Sequence, residues 1–578
     1  MREYTTPAAV TIPPVGNLTD AVFRNAAEHA GEIAFSRKVD GRWRDVTCAE
    51  FAQQVTTLAK ALAASGVEPG DRVALMSATR YEWTLIDYAI WTAGAVTVPV
   101  YETSSAEQVE WILSDSGAVA AFLETDGHVR DFESVRGRVP GVRHVWRVAD
   151  AESLDPGATS DAEIARRRKG LTGESLATVI YTSGTTGQPK GCELTHGNFL
   201  FDAVTTTNGL DDLFGPGNST LLFLPLAHVF ARIIEVGCVQ NRVRMGHTSD
   251  IKGLLDDFAA FRPTFILSVP RVFEKVYNQA KQKAHADGKG AIFDMAERTA
   301  IAYSEADGKP GLLTAAKHAV FDKLVYAKLR AALGGQVKGA VSGGAPLGAR
   351  LGHFFRGIGV TVYEGYGLTE TTAGATLNMP DAIKVGTVGR PIPGVSVRIA
   401  EDGEILLRGD NIFRGYWRND TATKEALDPD GWLHTGDIGE LDADGFVTIT
   451  GRKKELIVTA GGKNVAPAVL EDRLRAHRLI SQAVVVGDQR PYIGALITID
   501  PEADTTGADV QAEVTDAIKD ANKAVSKAEA IKAFRILDHD FTIEADELTP
   551  SLKLKRHVIM KKYADEIEAL YAGKATSV

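Results

Sequence analysis

Short, unbroken runs of β-branched and apolar residues recur along this chain, and they leave few folds open. DRVALMS (71–77), AVTVPVY (95–101), ATVIYTS (177–183), STLLFLPL (219–226), PTFILSV (263–269), VKGAVSGG (337–344) and GVTVYEGYG (359–367) each read as a strand. A strand with one wet face alternates, whereas a strand apolar throughout is covered on both faces. Helical patterns lie between these runs. Phe51, Val55, Leu58 and Leu62 repeat at helical spacing before Gly66, and YEWTLIDYAIWTAG reads as a helix. The order strand, helix, strand predicts an α/β assembly of more than one sheet up to about residue 450. A chain of 578 residues is too long for one small domain.

Two stretches depart from that pattern. Residues 274–335 are rich in Ala, Lys and Asp, and there Phe321, Leu324, Val325 and Leu329 share one face, which predicts a packed surface helix. After GRKKELIV (451–458) come AVLEDRLRAH (468–477), AVVVGD (483–488), YIGALITID (492–500), a charged helix over about 508–528, and AFRIL (533–537). This is the outline of a small α+β unit, with a boundary near 451–456. The expected division is a large N-terminal multi-sheet α/β domain, residues 1–451, and a smaller α+β C-terminal domain, residues 452–578.

Charge and composition exclude several functions. Lys plus Arg number 64 and Asp plus Glu 75, a net charge of −11 that ill suits a grip on nucleic acid. No run approaches the ~18–20 apolar residues of a membrane span, since Ala89–Val100 is interrupted by Thr92, Gly94 and Thr97. The opening MREYTTPAAVTIPP lacks the apolar core of a secretory signal. Cys48, Cys192 and Cys238 form neither a disulfide framework nor a metal-ligand spacing. A reducing cytoplasm is the expected setting, and peripheral contact with a membrane is compatible with it. Oligomeric state is not written in these features.

The chemistry concentrates in Tyr181-Thr-Ser-Gly-Thr-Thr-Gly-Gln-Pro-Lys190-Gly191, directly after a strand candidate. Thr182, Ser183, Thr185 and Thr186 with Gly184 and Gly187 would do little for a core, but they can wrap an anion. Glycine allows close backbone approach, hydroxyls donate, and Lys190 adds positive charge. The spacing is not the G-x-x-x-x-G-K-[ST] of the common NTPase loop. It resembles the phosphate-binding loop of the adenylate-forming superfamily, which contains acyl-CoA synthetases, luciferases and peptide-synthetase adenylation domains. Further segments resemble that family's motifs in the same order. They are PLAHVF (225–230), SGGAPL (342–347), Tyr363-Glu-Gly-Tyr-Gly-Leu-Thr-Glu-Thr371, DGWLHTGDIGELDADGFVTITGRKKELI (430–457) and LTPSLKLKR (548–556). Long-chain fatty acyl-CoA synthetases are the branch most resembled.

The resemblance implies a two-step reaction in which a carboxylate attacks the α-phosphate of Mg·ATP, and the thiol of coenzyme A then displaces AMP. It implies that Thr182, Ser183, Gly184, Thr185, Thr186, Gly187 and Lys190 hold the β- and γ-phosphates, and that Glu370 takes Mg²⁺. Thr369 would contact the α-phosphate, with Tyr366 near adenine. Ser342, Gly343, Gly344, Ala345, Glu364, Gly365 and Gly367 would complete the nucleotide wall. Asp437 would accept both ribose hydroxyls with support from Arg452, and Lys553 would reach the forming ester. Gly461, Gly462 and Lys463 resemble the hairpin that meets coenzyme A, and Lys454 stands where the family places the pivot of a mobile small domain.

Taken alone, several of these residues read more blandly. Glu370 is a helix-start carboxylate, Asp437 a turn residue, and Lys553 one lysine beside Lys555 and Arg556. His228 lies where the family places an acyl-pocket residue, but a histidine after a strand is as well read as structural. The chain departs from the family pattern at Leu441, Gly451 and Leu552, positions that bear on substrate more than on reaction. Three functions stay open on the sequence. One is a ligase passing a long-chain (or medium-chain or aryl) acid to coenzyme A. Another is an acyl-AMP ligase loading a carrier protein, and the third is a non-catalytic nucleotide-binding scaffold.

Overall fold

Tyr81–Thr92 forms a helix in which every side chain but Glu82 is buried, and the largest domain is built around it. The computed structural model describes residues 2–11, 16–182, 188–461, 463–501, 503, 505, 509–549, 553–572 and 576–578. A seven-stranded sheet runs in the order Gly415–Tyr416, Lys190–Thr195, Leu176–Thr182, Val96–Val100, Arg72–Met76, Ala120–Leu123, His144–Arg147. The last five strands of that order are parallel, and the first two pair antiparallel. The buried helix docks against it partly through Trp91, whose Nε1 donates to the Ala177 carbonyl at 2.8 Å.

A second sheet begins with Phe265–Ser268, Gly339–Ser342 and Thr361–Tyr366 in parallel, and ends with the short antiparallel strands Thr376–Leu377 and Arg390–Pro391. A third holds Ser219–Leu222, Arg244–His247, Ile33–Val39 and Arg42–Thr47. A fourth, antiparallel, contains Arg2–Thr5, Ser396–Ile399, Glu404–Arg408, Leu433–Leu441 and Val447–Arg452. Beyond the single turn Lys453–Glu455 a smaller unit follows. Its sheet of Ile480–Val486, Ile493–Ile499, Ile531–Ile536 and Thr576–Ser577 carries the helices Pro467–Arg475 and Val510–Asn522. It docks through Arg271, which donates to Ser481 O at 3.2 Å and to Ser481 Oγ at 2.8 Å, and Arg350, which reaches Ala476 O at 3.2 Å.

Two details differ from the sequence expectation. The strand expected over 219–226 stops at Leu222, and the chain then turns toward the helix Val229–Asn241. Pro225, with no N–H to give a ladder, fits that early stop. Leu324 does not share the inward face of Phe321 and Leu329, and is 52% exposed. Residues Asp322–Tyr326 form a π-helical turn, whose extra residue shifts the face register.

A buried ion pair holds the helix Val229–Asn241 in place. Arg232 Nη2 donates to both oxygens of Asp87 at 2.7 Å and its Nη1 to Thr178 Oγ1 at 2.7 Å, with both charged residues wholly buried. Trp83, Trp91 and Phe199 surround the guanidinium at 5.2–5.4 Å. Neighbouring Glu235 is fully buried, and desolvation, then the Asp87 charge, push its carboxyl well up toward the neutral form.

Candidate active site

Helix starts and tight loops bring the polar groups together. Thr195 caps the helix His196–Thr207 by accepting from Asn198 N, while Asn198 Oδ1 accepts from Thr195 N. Asn198 Nδ2 then donates to the carbonyls of Asp410 and Ile412 at 2.8 and 3.0 Å. That anchors the 410–413 segment, from which Phe413 N donates to Glu370 O at 2.9 Å and Asn411 Nδ2 to Gly374 O at 2.7 Å. The loop so clamped is strained, because Thr372 and Ala373 hold φ of 56° and 96°. A Cβ at Gly367 would sit 1.6 Å from Ala373 O, so only glycine lets this loop close on itself.

One cavity of about 1530 Å³ lies between the large domain and the small unit. Its polar end is bordered by Thr182, Lys190, Ser342, Gly343, Gly344, Gly365, Tyr366, Gly367, Thr369, Glu370, Arg452, Lys454 and Lys553. Ser183, Gly184, Thr185, Thr186 and Gly187, and likewise Gly462, lie outside the described residues. Lys190 Nζ stands 5.0 Å above the Tyr416 ring, and Tyr416 donates to Glu370 Oε1 at 2.7 Å. Burial and then the Glu370 charge raise the Tyr416 phenol, which keeps it a donor.

Lys553 arrives from the small unit on a turn closed by Thr549 N donating to Lys553 O at 2.8 Å. Its side chain passes over Gly344, with Nζ 3.9 Å from where a Cβ on that glycine would be. Desolvation lowers the Lys553 pKa and the Arg452 charge adds to this, while Asp437 opposes it. The ammonium is thus held close to the site's other charges although its side chain still meets solvent within the cavity.

Other expected residues sit elsewhere. Asp437 is 3% exposed, behind the wall, accepting from Tyr366 Oη at 2.6 Å and from Arg452 Nε at 2.9 Å. Burial opposes the Arg452 charge, but Asp437 and Glu455 outweigh it and raise its pKa. Burial and Asp437 also push the Tyr366 phenol up. Glu364 is buried behind the 342–347 loop, accepting from Leu347 N at 2.9 Å, and burial lifts its carboxyl to about 7. Ala345 is exposed and does not line the cavity. Gly461 and Lys463 lie away from it, and Lys463 pairs with Glu529 at 3.2 Å.

The other end of the cavity is apolar, lined by Leu210, Phe214, Val229, Phe230, Ile233, Ile234, Val341 and Leu377. His228 borders it and caps the helix Val229–Asn241, its Nδ1 accepting from Phe230 N at 3.2 Å. Desolvation, then the Lys553 charge, push the imidazole down to about 3, so it is neutral. Sequence reading missed Tyr416, Asp202 and the whole apolar wall. Asp202 lines the cavity fully buried, with Oδ2 accepting from Gly374 N at 2.7 Å and burial holding its carboxyl toward neutral. The wall has no contiguous signal, because its residues come from separate helices and strands. Tyr416 lies in the segment Phe413-Arg-Gly-Tyr-Trp, where the aromatic pair beside Gly415 was the available sign.

The residues present suit Mg²⁺ brought in with a nucleotide. Among the described residues no three His, Cys, Asp or Glu cluster as a protein-built metal cage. Glu370 lines the cavity with one carboxylate oxygen accepting from Tyr416, and Mg²⁺ commonly takes one or two carboxylates plus substrate phosphates.

Comparison with known proteins matches residues 22–417 to the model of an AMP-binding enzyme and residues 454–575 to that of an AMP-binding enzyme C-terminal domain. The long-chain-fatty-acid–CoA ligase FadD15 of Mycobacterium tuberculosis is 54% identical over 99% of this chain and 100% of its own. Human long-chain-fatty-acid–CoA ligase 1 is 28% identical over 94% of this chain and 84% of its own. Among solved structures, the anthranilate CoA ligase AuaEII with anthranoyl-AMP superposes with a TM-score of 0.75 at 20% identity, covering 97% of this chain and 99% of its own. ATP-bound MatB from Rhodopseudomonas palustris gives 0.72 at 23%, covering 95% and 99%.

Proposed function

The chain belongs to the AMP-binding enzyme family, and from that membership we propose that it is an AMP-forming long-chain fatty acid–CoA ligase. One observation carries the reading: a polar end holding Lys190, Glu370 and Lys553 and an apolar end lined by Phe214 and Ile233 share one cavity. A fatty acid needs both, since its tail is buried by apolar surface while its carboxylate must approach a polyphosphate.

In the first step a carboxylate oxygen of the acid bonds to the α-phosphorus, and the bond from that phosphorus to the bridging oxygen breaks, giving acyl-AMP and pyrophosphate. In the second the thiol of coenzyme A, losing its proton, bonds to the acyl carbon, and AMP leaves. Positioning and charge stabilisation dominate such transfers. In this proposal Thr182 and Lys190, with Ser183 to Gly187, hold the outer phosphates. Lys553 holds the carboxylate and the α-phosphate together, and Thr369 touches the latter. Arg452 takes the ribose, with Asp437 behind the wall fixing Arg452 and Tyr366, and Tyr366 with Ser342 to Gly344 flanks adenine. Mg²⁺, held by Glu370 when bound, neutralises phosphate charge. His228, being neutral, contributes a polar surface where the acyl carboxyl enters.

The proposal divides the chain into an adenylating domain, 1–451, and a mobile domain, 452–578, turning about Lys454 so that Gly461 to Lys463 replace Lys553 for the second step. With Lys553 in the cavity and Lys463 bound to Glu529, the arrangement suits the first step. A cytoplasmic setting with peripheral contact at a membrane completes the reading.

A pyrophosphate-release assay tests it. With ATP and a long-chain acid, the enzyme should release about one equivalent, and repeated turnover with AMP and acyl-CoA formation should require coenzyme A. Turnover indifferent to coenzyme A, or none with any long-chain acid, would contradict it.

A further inference from the structure

Six of the chain's ten exposed large apolar side chains among the described residues fall between residues 292 and 324: Ile292, Met295, Leu312, Leu313, Val320 and Leu324. Leu312 is 92% exposed and Leu313 69%. The helix Leu312–Phe321, its π turn Asp322–Tyr326 and the helix Ala327–Ala332 form one continuous rod. The outward stripe of that rod consists of Leu312, Leu313, Val320 and Leu324, small alanines, and the lysines at 317, 323 and 328. It carries no carboxylate. Asp322, the rod's one acid, is only partly exposed and is bound by Arg330 Nη1 at 2.7 Å. Lys317, Lys323 and Lys328 have no ion pair among the described residues.

The inward stripe shows that this rod is a fixed part of the fold. The His318 ring stacks on Tyr303 at 3.9 Å, and its Nε2 is 2.7 Å from Gly357 O. Tyr326 donates to Ala296 O at 2.7 Å, and Phe321 and Leu329 are buried. Gly357 ends the helix Ala349–Gly357, which leads into the strand Thr361–Tyr366 at the polar end of the cavity. The rod is therefore bonded to the frame of the site while its other face is bare. An acidic soluble chain has no structural use for a bare leucine and lysine stripe, and a contiguous exposed apolar face marks an interaction surface.

We propose that this face, Leu312–Lys328, docks peripherally on an anionic lipid bilayer, with the leucines and Val320 entering the headgroup boundary and the three lysines meeting lipid phosphates. The pattern is that of a helix lying in the interface plane, with lysines interspersed along its exposed apolar stripe. Charge chooses this occupant over a second copy of the chain. Two such faces packed on a two-fold axis would bring three lysines from each copy together, whereas an anionic surface satisfies all of them. The proposal rests on the ligase reading only for its purpose, since long-chain acids partition into bilayers and docking would deliver them. The surface itself stands on the exposure and charge of the rod.

Flotation of the full chain with phosphatidylcholine vesicles, with and without phosphatidylglycerol, tests it. Binding is expected to the anionic vesicles only and to weaken with added salt. The triple variant Lys317→Glu, Lys323→Glu, Lys328→Glu should bind roughly a hundredfold more weakly. Leu312→Ser with Leu313→Ser should lose binding even at low salt. Both variants should keep wild-type turnover on acid supplied in solution, which separates this proposal from the ligase reading and shows that they fold. Vesicle binding unchanged by either variant would overturn the proposal. So would an absence of wild-type binding to anionic vesicles, including one in which the leucine variant instead alters the chain's self-association.

Discussion

At the polar end of the cavity, Ser342 to Gly344, Tyr366 to Glu370, and Arg452 with Lys454 come from three short segments, whereas the apolar end takes Leu210, Phe214, Ile233, Val341 and Leu377 from separate helices and strands. The difference follows from what each end holds under the proposed function. Phosphates and ribose are recognised by directional bonds from backbone and side chain together, which requires glycines, strained turns and fixed neighbours within a few residues. An acyl tail asks only for apolar volume, which any element passing by can supply. The polar end is rigid through hydrogen bonds that clamp the 367–374 loop from Asn411, Phe413 and Asp202, all distant in the chain. The apolar end is rigid through the buried Arg232–Asp87 pair on the far side of the helix Val229–Asn241.

The largest effect is expected where that support is removed. Asp87→Ala leaves the Arg232 guanidinium buried without its counter-charge, and loss of one partner of a buried pair costs about 3–5 kcal/mol. Chemical denaturation should show a loss of that order. A loss near zero would mean that the pair does not brace the apolar wall.

Next in size is a pH dependence at the polar end. Glu364 has a folded pKa of about 7, above its ordinary 4.5, because burial disfavours the charged form. The folded state therefore binds the proton more tightly than the unfolded one. Its contribution is complete below pH 4.5 and is lost as pH rises through 7, by up to ~3 kcal/mol. Glu364→Gln should flatten that part of the stability–pH curve, measured by denaturation at several pH values. An unchanged slope would remove Glu364 as its source.

Asp437→Ala should lower kcat/KM for ATP about 10–100-fold, the worth of lost charge-assisted hydrogen bonds, while leaving the order of preference among acids intact. At the other end, Ile233→Phe should reduce use of the longest acids about tenfold and spare short ones, with KM for ATP unmoved, because overpacking an apolar wall costs about 1–3 kcal/mol. If either variant disturbed both substrates alike, the two ends would not be separable as described.

The same contrast decides what could be read from the sequence. The strands at 71–77, 95–101 and 177–183 were legible because burial on both faces writes a continuous apolar run. The polar motifs were legible because Gly367 and its neighbours cannot be spread out. Leu324 was misplaced because a π turn shifts the helical register without altering the apolar spacing from which a face is read. Asp202 carried no sign at all: nothing beside it in the chain tells that Gly374 N, 172 residues away, will hold it against the cavity. Glu364 and Asp437 were recognisable as motif residues, but that they stand behind the wall and work through Leu347, Tyr366 and Arg452 is a matter of packing.

The central claim is that Lys553 is brought by the small domain into the polar end for the first chemical step alone. Lys553→Ala with the two half-reactions measured separately tests it most directly. Acyl-AMP formation from ATP and a long-chain acid should fall by at least about a hundredfold, as for removal of a preorganised charge contact in the transition state. Conversion of supplied acyl-AMP and coenzyme A to acyl-CoA should stay near the wild-type rate. Equal loss in both half-reactions, or full retention of the first, would contradict the account.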